Sequence, residues 1–137
     1  MSKSLTYKDA GVDIEKAAAL VGDIGDMRMR TESKRQLFQS FGLFAAGFDL
    51  SSYSEPVIFT GCDGVGTKLK VLLDFDALEI AGKDLVAMNV NDVLTAGADP
   101  IMFLDYIGVG HIDKTKIKRV IAGMVDYLES CDCILAG

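Results

Sequence analysis

The chain has 137 residues, is 50% hydrophobic and carries a formal net charge of −6, so we expect one domain that buries about two-thirds of its unfolded surface. The acidic balance argues against a nucleic-acid or anionic-membrane partner, because both require a basic protein surface. The N-terminus lacks the apolar core of a signal peptide and no apolar run approaches the ~20 residues of a membrane helix, so we expect a cytoplasmic protein.

The first predicted element is a short helix over residues 13–21, with Asp13 as its N-cap and an alanine run that favours helix. Residues 22–36 are mostly polar and contain four cations. A solvated loop is the simpler prediction for them, and a flap that carries cations to phosphates is the alternative. Residues 41–49 hold three phenylalanines, which we expect to pack against a sheet or a partner subunit.

An apolar run at residues 57–59 precedes the most informative segment, Asp63-Gly64-Val65-Gly66-Thr67-Lys68, which we call the glycine loop. A polyphosphate requires backbone N–H groups that can approach closely, a cation, and a carboxylate for the accompanying Mg²⁺. The loop offers all of these, in an order that differs from the Walker A pattern. It therefore predicts a nucleotide-phosphate site outside the P-loop fold. The alternative is a tight turn that joins two strands, residues 57–61 and 69–73.

A helix is predicted over residues 84–96, with Gly97 as its stop. At about 100° per residue, one of its faces is apolar and the other is polar with a single charge. The apolar face holds Val86, Val90, Val93 and Leu94, and the polar face holds Asn89, Asn91, Asp92 and Thr95. A solvated face would carry more charges, so we expect Asp92 to be half-buried with a cation as its partner. The alternative is an aspartate satisfied by hydrogen bonds within the helix.

A strand is predicted over residues 100–107. Asp105 within it is either a strand-end residue bonded to backbone or a further phosphate or Mg²⁺ contact. Asp113 is the predicted N-cap of the next helix. The apolar residues of that helix recur at the spacing of one buried face, at Ile117, Val120, Ile121, Met124, Val125 and Leu128. Residues 131–137 form the last predicted strand.

The three cysteines, Cys62, Cys131 and Cys133, make an odd number in a chain without a secretion signal, so we expect no disulfide. Cys62 adjoins the glycine loop, and without a neighbouring histidine we expect it to serve packing rather than nucleophilic chemistry. A zinc site at Cys131 and Cys133 would need two further ligands, and the chain has one histidine.

The order strand, strand, helix, strand, helix, strand predicts an α+β fold with a mixed β-sheet and helices packed over one face. The other face needs a cover, because residues 57–59 and 101–104 are hydrophobic on both sides of their strands. We therefore expect the chain to dimerise through that face. The predicted division is an N-terminal extension, residues 1–55, followed by an α+β domain, residues 56–137.

Two motifs together carry a family resemblance, Thr60-Gly61-Cys62-Asp63-Gly64-Val65-Gly66-Thr67-Lys68 and Asp92-x4-Gly97-Ala98-x-Pro100. Two further strings extend it over nearly the whole chain, Tyr7-Lys8-Asp9-Ala10-Gly11-Val12-Asp13-Ile14 and Phe103-Leu104-Asp105-Tyr106. The sequence resembles the N-terminal ATP-binding domain of aminoimidazole ribonucleotide synthetases, the phosphoribosylformylglycinamidine cyclo-ligases. The Asp-x4-Gly-Ala-x-Pro element is also similar to one in a wider ATP-binding superfamily.

The resemblance implies ATP-dependent ring closure of formylglycinamidine ribonucleotide to aminoimidazole ribonucleotide in purine biosynthesis, with ATP and Mg²⁺ bound. Asp63 and Asp92 would hold Mg²⁺, and the glycines would cradle phosphates with their backbone. Thr67 would contact a phosphate or the metal. Lys68 would compensate charge on the transferring group, so Lys68 and Asp92 are the predicted catalytic residues. The complete set of binding residues that it implies is Asp63, Gly64, Gly66, Thr67, Lys68 and Asp92.

The resemblance also implies a homodimer whose sheets close into a shared barrel-like core, and a second domain after a Gly-Glu-Thr loop beyond Gly137. We accordingly expect an N-terminal part that lacks its C-terminal domain and is inactive by itself. Two alternatives stay open. One is a non-catalytic nucleotide-binding and dimerisation module, and the other is a related ATP-dependent small-molecule kinase, which the phosphoryl acceptor would distinguish.

Overall fold

The structure is a computed structural model that describes residues 6–7, 9–11, 13–32 and 45–137. In chain order its elements are α1 (Ile14–Arg28), a 3-10 helix (Met29–Thr31), α2 (Lys68–Asp74), α3 (Leu78–Thr95), β1 (Met102–Phe103), α4 (Lys114–Ser130) and β2 (Ile134–Leu135). Helices with a small sheet confirm the α+β class. Residues 33–36 and 41–44, which belong to the predicted loop and phenylalanine segment, lie outside the described residues. Across the described ranges, no helix has both the length and the apolarity to cross a membrane.

The two strands are parallel, with Met102 opposite Ile134 and Phe103 opposite Leu135. The Ala136 N–H continues the pairing and donates to the Phe103 carbonyl at 2.9 Å. α4 connects the strands, since parallel neighbours require a crossover. The predicted four-stranded mixed sheet is wrong for the described residues, where the sheet consists of this parallel pair. The residues expected to form its first two strands have other conformations, described below.

α4 supplies the largest part of the core, as its apolar spacing predicts. Asp113 caps its N-terminus by accepting from the Lys116 N–H at 3.1 Å. The same geometry starts α1, where Asp13 accepts from the Lys16 N–H at 3.1 Å. Both predicted caps are therefore confirmed. Val120 of the predicted stripe is half-buried, and the other members are buried, namely Ile117, Ile121, Met124, Val125 and Leu128.

α3 and α4 cross with their backbones in direct contact. A β-carbon on Gly82 would lie 2.0 Å from the Val120 carbonyl oxygen, and one on Gly123 would lie 2.0 Å from the Glu79 carbonyl oxygen. Neither position has room for a side chain, so these glycines set the distance between the helices. Arg119 closes the same crossing, because its Nε and Nη2 donate to the two carboxylate oxygens of Glu79 at 2.6 and 2.8 Å.

α3 begins at Leu78 rather than at residue 84, so it is longer than predicted. Leu78 is 2% exposed, and this burial against the core explains the added turns. Val86 and Val90 are buried as predicted, whereas Leu94 is exposed. The predicted stop is confirmed, because Gly97 follows the C-cap with a φ of 72°, the left-handed conformation that favours glycine.

α1 continues well past the predicted end, so the loop expected over residues 22–28 is wrong. Ile24 and Met27 pack on the core beside the buried Leu20. Their spacing of four and three residues is that of one helix face. The intervening polar residues suggested a solvated loop, but the buried face decides the conformation.

The end of α1 and the following 3-10 helix cover the edge of β2 that does not pair with β1. The Leu135 N–H donates to the Thr31 hydroxyl at 3.0 Å, and Arg28 Nη1 donates to the Leu135 carbonyl at 3.4 Å. The Thr31 hydroxyl donates in turn to the Arg28 carbonyl at 2.7 Å. Arg28, which also pairs with Glu32, and Thr31 are both buried. These side chains satisfy backbone groups that a third strand would otherwise bond. The predicted boundary after residue 55 stays a prediction.

The predicted strands before α3 are both wrong in this structure. Residues 69–73 lie in α2, because lysine and leucine favour helix and a single residue of that stretch, Leu72, is buried. Residues 57–61 have no regular secondary structure. Within the described residues no strand pairs with them, and Val57, Ile58 and Phe59 are 78, 67 and 53% exposed. Their hydrophobicity therefore predicts a contact that the described residues of this chain do not supply.

Candidate functional site

The glycine loop runs antiparallel to α3 along the polar face of that helix. Just before the loop, Gly61 lies against Asp92, since a β-carbon on Gly61 would be 3.6 Å from Asp92 Cβ. Asp63 then bonds Asn89, one helical turn earlier in α3. At the end of the loop, Lys68 pairs with Asp84, which lies earlier still in α3. The structure thus brings together the two segments that the sequence singled out.

The backbone of Asp63 is bonded in both directions by one side chain. Its N–H donates to Asn89 Oδ1 at 2.8 Å, and Asn89 Nδ2 donates to its carbonyl at 3.0 Å. Asn89 Nδ2 also donates to the Leu85 carbonyl at 2.9 Å within α3. The carboxylate of Asp63 turns toward the loop, where its Oδ1 accepts from the Gly64 N–H at 2.7 Å.

The outer side of the glycine loop is open. A β-carbon on Gly64 or Gly66 would meet no atom of the described residues within 4 Å. Gly66 has a φ of 66°, which the turn into α2 requires of it. Thr67 precedes α2, and its hydroxyl makes no capping hydrogen bond to that helix. The outer side of the loop therefore has room for a ligand, and the Thr67 hydroxyl does not cap α2.

Lys68, the predicted phosphate-binding cation, already has a carboxylate partner. Its Nζ lies 2.8 Å from Asp84 Oδ2 on α3, with the two side chains 51 and 28% exposed. The pair ties the end of the loop to the helix. The ammonium remains accessible to a ligand from the solvent side.

The expectation that Asp92 is half-buried is wrong, because the residue is exposed. Gly61 lies against it from the neighbouring segment, and a residue without a side chain cannot cover a carboxylate. Thr95 donates to the Asp92 carbonyl at 2.7 Å on the same helix end. Cys62 is also exposed, so its expected packing role is wrong.

A groove of ≈ 540 Å³ adjoins the start of the loop. It lies between residues 56–61, the α3 residues Asn89, Val90 and Val93, and residues 97–104. Most of these side chains are apolar. The groove therefore offers room beside the glycine loop for an apolar group, either of a ligand or of another chain.

Asp105 lies just beyond β1 and is half-buried. Burial raises the pKa of its carboxyl. Its backbone N–H donates to the Gly137 carbonyl at 2.7 Å and so extends the pairing of β1 with β2. This backbone bond is the strand-end geometry that the sequence left as one alternative, and a role in phosphate or Mg²⁺ binding stays a prediction.

The acidic residues fit a Mg²⁺ that arrives with a nucleotide. Mg²⁺ in such sites takes one or two protein carboxylates together with phosphate oxygens and water. Asp63 and Asp92 offer that number, and both are exposed. In the part of the chain that the structure describes, no three His, Cys, Asp or Glu side chains cluster as a metal site. The donor set thus matches a shared metal–phosphate ligand better than a metal held by protein alone.

Two residues of the site escaped sequence reasoning. Asn89 was placed only on the polar face of its helix, although its position one turn before Asp92 was an available signal. Asp84 carried no signal, because its pairing with Lys68 depends on how the loop folds back along α3.

Comparison with known proteins places this geometry in context. Residues 47–137 match the family model described as AIR synthase related protein, N-terminal domain. The chain is 44% identical over 136 residues to a phosphoribosylformylglycinamidine cyclo-ligase of Thermodesulfovibrio yellowstonii. The aligned region covers 98% of this chain and 39% of that relative. The chain is 43% identical over 136 residues to the protein of that name from Oceanobacillus iheyensis, with 98% and 40% covered. The chain therefore spans about two-fifths of the length of these curated relatives.

Proposed function

Because the chain belongs to the AIR synthase related protein family through its N-terminal domain, we propose that it is the ATP-binding part of a phosphoribosylformylglycinamidine cyclo-ligase. The family resemblance of the two motifs is confirmed, since relatives of that name align over nearly the whole chain. The substrate would be formylglycinamidine ribonucleotide, and the product aminoimidazole ribonucleotide. The alternatives, a kinase or a non-catalytic module, have no specific observation in their favour.

In the proposed reaction the γ-phosphoryl group of ATP passes to the amide oxygen of the substrate, and ADP leaves as its bond to the γ-phosphorus breaks. That oxygen becomes a leaving group, the amidine nitrogen attacks the same carbon, and phosphate departs as the imidazole ring closes. Catalysis of this kind depends mainly on positioning and on neutralising charge. The glycine loop and α3 would provide both.

The observation that carries the proposal is the alignment of the glycine loop with α3. Gly61 adjoins Asp92, with 3.6 Å between a β-carbon on the glycine and Asp92 Cβ. Asp63 follows two residues later, with its backbone bonded to the same helix. This alignment supports a single Mg²⁺ that both carboxylates help to hold, and it agrees with the metal's preference for oxygen ligands.

The other loop residues would act on the phosphates. Gly64 and Gly66 would cradle the phosphates with their backbone on the open side of the loop, where no described atom lies within 4 Å of a β-carbon. The Gly64 N–H would exchange its bond to Asp63 Oδ1 for a phosphate oxygen. The Thr67 hydroxyl, which does not cap α2, would contact a phosphate or the Mg²⁺. Lys68 would move its ammonium from Asp84 toward the transferring phosphoryl group.

The test replaces Asp63 and Asp92 by asparagine, one at a time, and measures the dissociation constant of Mg·ATP by calorimetry. Losing a charge-assisted contact costs about 1.5 to 3 kcal/mol, so each variant should bind at least about tenfold more weakly. Turnover should fall with it when the domain is assayed within a complete cyclo-ligase. Asp126→Asn is the matched control, because Asp126 is an exposed acid on α4 with surface ion pairs to Arg30 and Lys83.

Wild-type affinity and turnover within about twofold in both site variants would sink the proposal. An equal loss in Asp126→Asn would also contradict it, because that result would attribute the effect to net charge. Release of ADP that depends on formylglycinamidine ribonucleotide would separate the cyclo-ligase from a kinase with another acceptor.

The proposed functional unit is a homodimer. Val57, Ile58 and Phe59 are exposed to 78, 67 and 53%, and Leu104 across the groove is 60% exposed. Such a continuous apolar surface is typical of an interface rather than of a monomer in water. Sedimentation at tens of micromolar should give the mass of a dimer, and Phe59→Asp should shift it toward the monomer. A well-folded wild-type monomer at that concentration would contradict the assignment.

A further inference from the structure

Asn89 uses all of its strong hydrogen-bonding groups on backbone atoms. Its Oδ1 accepts from the Asp63 N–H at 2.8 Å, and its Nδ2 donates to the Asp63 carbonyl at 3.0 Å and the Leu85 carbonyl at 2.9 Å. A flipped amide would set donor against donor and acceptor against acceptor. The three bonds therefore fix the orientation of the side chain and join the glycine loop to α3 at a defined register.

Among the described residues, few other contacts hold the loop in that place. All of residues 61–68 are exposed except Val65, which is half-buried. Neither Gly64 nor Gly66 has neighbours within 4 Å of a β-carbon. An exposed loop with two glycines would otherwise sample many backbone conformations, and ordering each residue costs about 1–2 kcal/mol. The bonds from Asn89 and the distant Lys68–Asp84 ion pair are thus the tethers of the loop.

We propose that Asn89 is a positioning residue, whose carboxamide holds the Asp63 backbone on α3 so that the glycine loop is ordered beside Asp92 before a ligand arrives. The inference rests on the proposed function for the identity of the ligand, Mg·ATP. Asn89 itself need not touch the nucleotide. Its contribution is preorganisation, because a loop that is already ordered loses less conformational entropy on binding.

Only an amide side chain of this size can both accept from the Asp63 N–H and donate to the Asp63 carbonyl. Aspartate could accept from the Asp63 N–H but could not donate to the Asp63 carbonyl, and it would add a charge beside the phosphates. Leucine has a similar branched shape and can make neither bond. Asn89→Leu therefore separates hydrogen bonding from packing, and Asn89→Ala removes both.

The first measurement is amide hydrogen exchange at Asp63 and Gly64 in the protein without nucleotide. In both variants the Asp63 amide should exchange at least about tenfold faster, because its acceptor is gone and the loop opens locally. The second measurement is the dissociation constant of Mg·ATP, which should rise about tenfold in both variants. A purely structural role would lower thermal stability without this selective change.

The control is Arg119→Lys, which weakens the bidentate bond to Glu79 at the helix crossing and touches no part of the loop. It should lower the melting temperature and leave Asp63 exchange and Mg·ATP affinity unchanged. Wild-type exchange at Asp63 in Asn89→Leu would overturn the inference, as would wild-type affinity in that variant. If wild-type protein binds no Mg·ATP while Asn89→Leu still releases the Asp63 amide, the proposed function fails and loop positioning by Asn89 stands.

Discussion

The ammonium of Lys68 lies 2.8 Å from the carboxylate of Asp84, so the cation proposed for the phosphates is paired with α3. A partly exposed ion pair of this kind contributes about 0–1 kcal/mol to folding. The pair therefore fixes where the ammonium starts more than it stabilises the domain. Binding of a phosphate would require Lys68 to share or exchange this partner.

Lys68→Met should weaken Mg·ATP binding about tenfold or more, because a charge-assisted contact is worth about 1.5 to 3 kcal/mol. The free energy of unfolding should change by less than about 1 kcal/mol. Calorimetry and urea unfolding provide the two measurements. Unchanged affinity would contradict the role of Lys68.

Asp84→Asn should have the opposite effect on binding. It leaves Lys68 in place and removes a negative charge that competes with the phosphates for the ammonium. We expect the Mg·ATP dissociation constant to fall about two- to fivefold, which corresponds to the ~0.2–1 kcal/mol of an exposed ion pair. A larger dissociation constant, which means weaker binding, would indicate instead that Asp84 acts on the ligand directly.

Gly82→Ala and Gly123→Ala should each destabilise the domain by about 3 kcal/mol or more. Each β-carbon would meet a carbonyl oxygen of the facing helix at 2.0 Å, and backbone cannot move aside as a side chain can. Gly22→Ala is the control, since no atom lies within 4 Å of its β-carbon in α1. It should stabilise by about 0.5–1 kcal/mol. Equal effects at Gly82 and Gly22 in urea unfolding would refute the close helix crossing.

Thr31→Val should destabilise by about 1–3 kcal/mol, because it keeps the shape of a buried side chain but leaves the Leu135 N–H without its acceptor at 3.0 Å. Thr95→Val makes the same change at an exposed site and should alter stability by less than about 0.5 kcal/mol. The comparison is made by chemical denaturation. A Thr31→Val protein as stable as Thr95→Val would show that the edge of β2 does not depend on this bond.

Glu79 predicts a specific dependence of stability on pH. Hydrogen bonds from Arg119 lower the pKa of its carboxyl from 4.5 to about 2. Between those values the unfolded state binds more protons than the folded state, so stability rises with pH. The contribution of Glu79 is fully present above pH 4.5 and is lost as the pH falls toward 2. The difference in melting temperature between wild type and Glu79→Gln should therefore be largest near neutrality and shrink through this window. A difference independent of pH would contradict the assignment.

The sequence predictions are confirmed where the structure of an element depends on residues within that element. The caps at Asp13 and Asp113, the stop at Gly97 and the buried stripe of α4 all depend on residues within a few positions of each other. The family motifs are equally local, so the resemblance could be recognised without a fold. Residues 63–68 were singled out as a phosphate site by their residue types alone, and that role stays a prediction.

The predictions are wrong where the conformation or burial of a residue depends on another element that packs against it. Residues 22–28 are helical because Ile24 and Met27 find a core to pack on, which polar neighbours in the sequence conceal. Asp92 is exposed where half-burial was predicted, and Gly61, which has no side chain to cover it, lies beside it. Residues 57–59 read as a strand, but in one chain their backbone has no strand to pair with among the described residues.

The amino-acid sequence by itself determined the α+β class, the main helices and the family, because these follow from side-chain chemistry and short-range periodicity. Only the tertiary structure decided that the glycine loop lies antiparallel to α3, with Asn89 on the Asp63 backbone and Asp84 on Lys68. The physical reason is distance along the chain. Hydrogen bonds and ion pairs between remote segments form only after the helices have packed, and no local pattern encodes which partners will then meet.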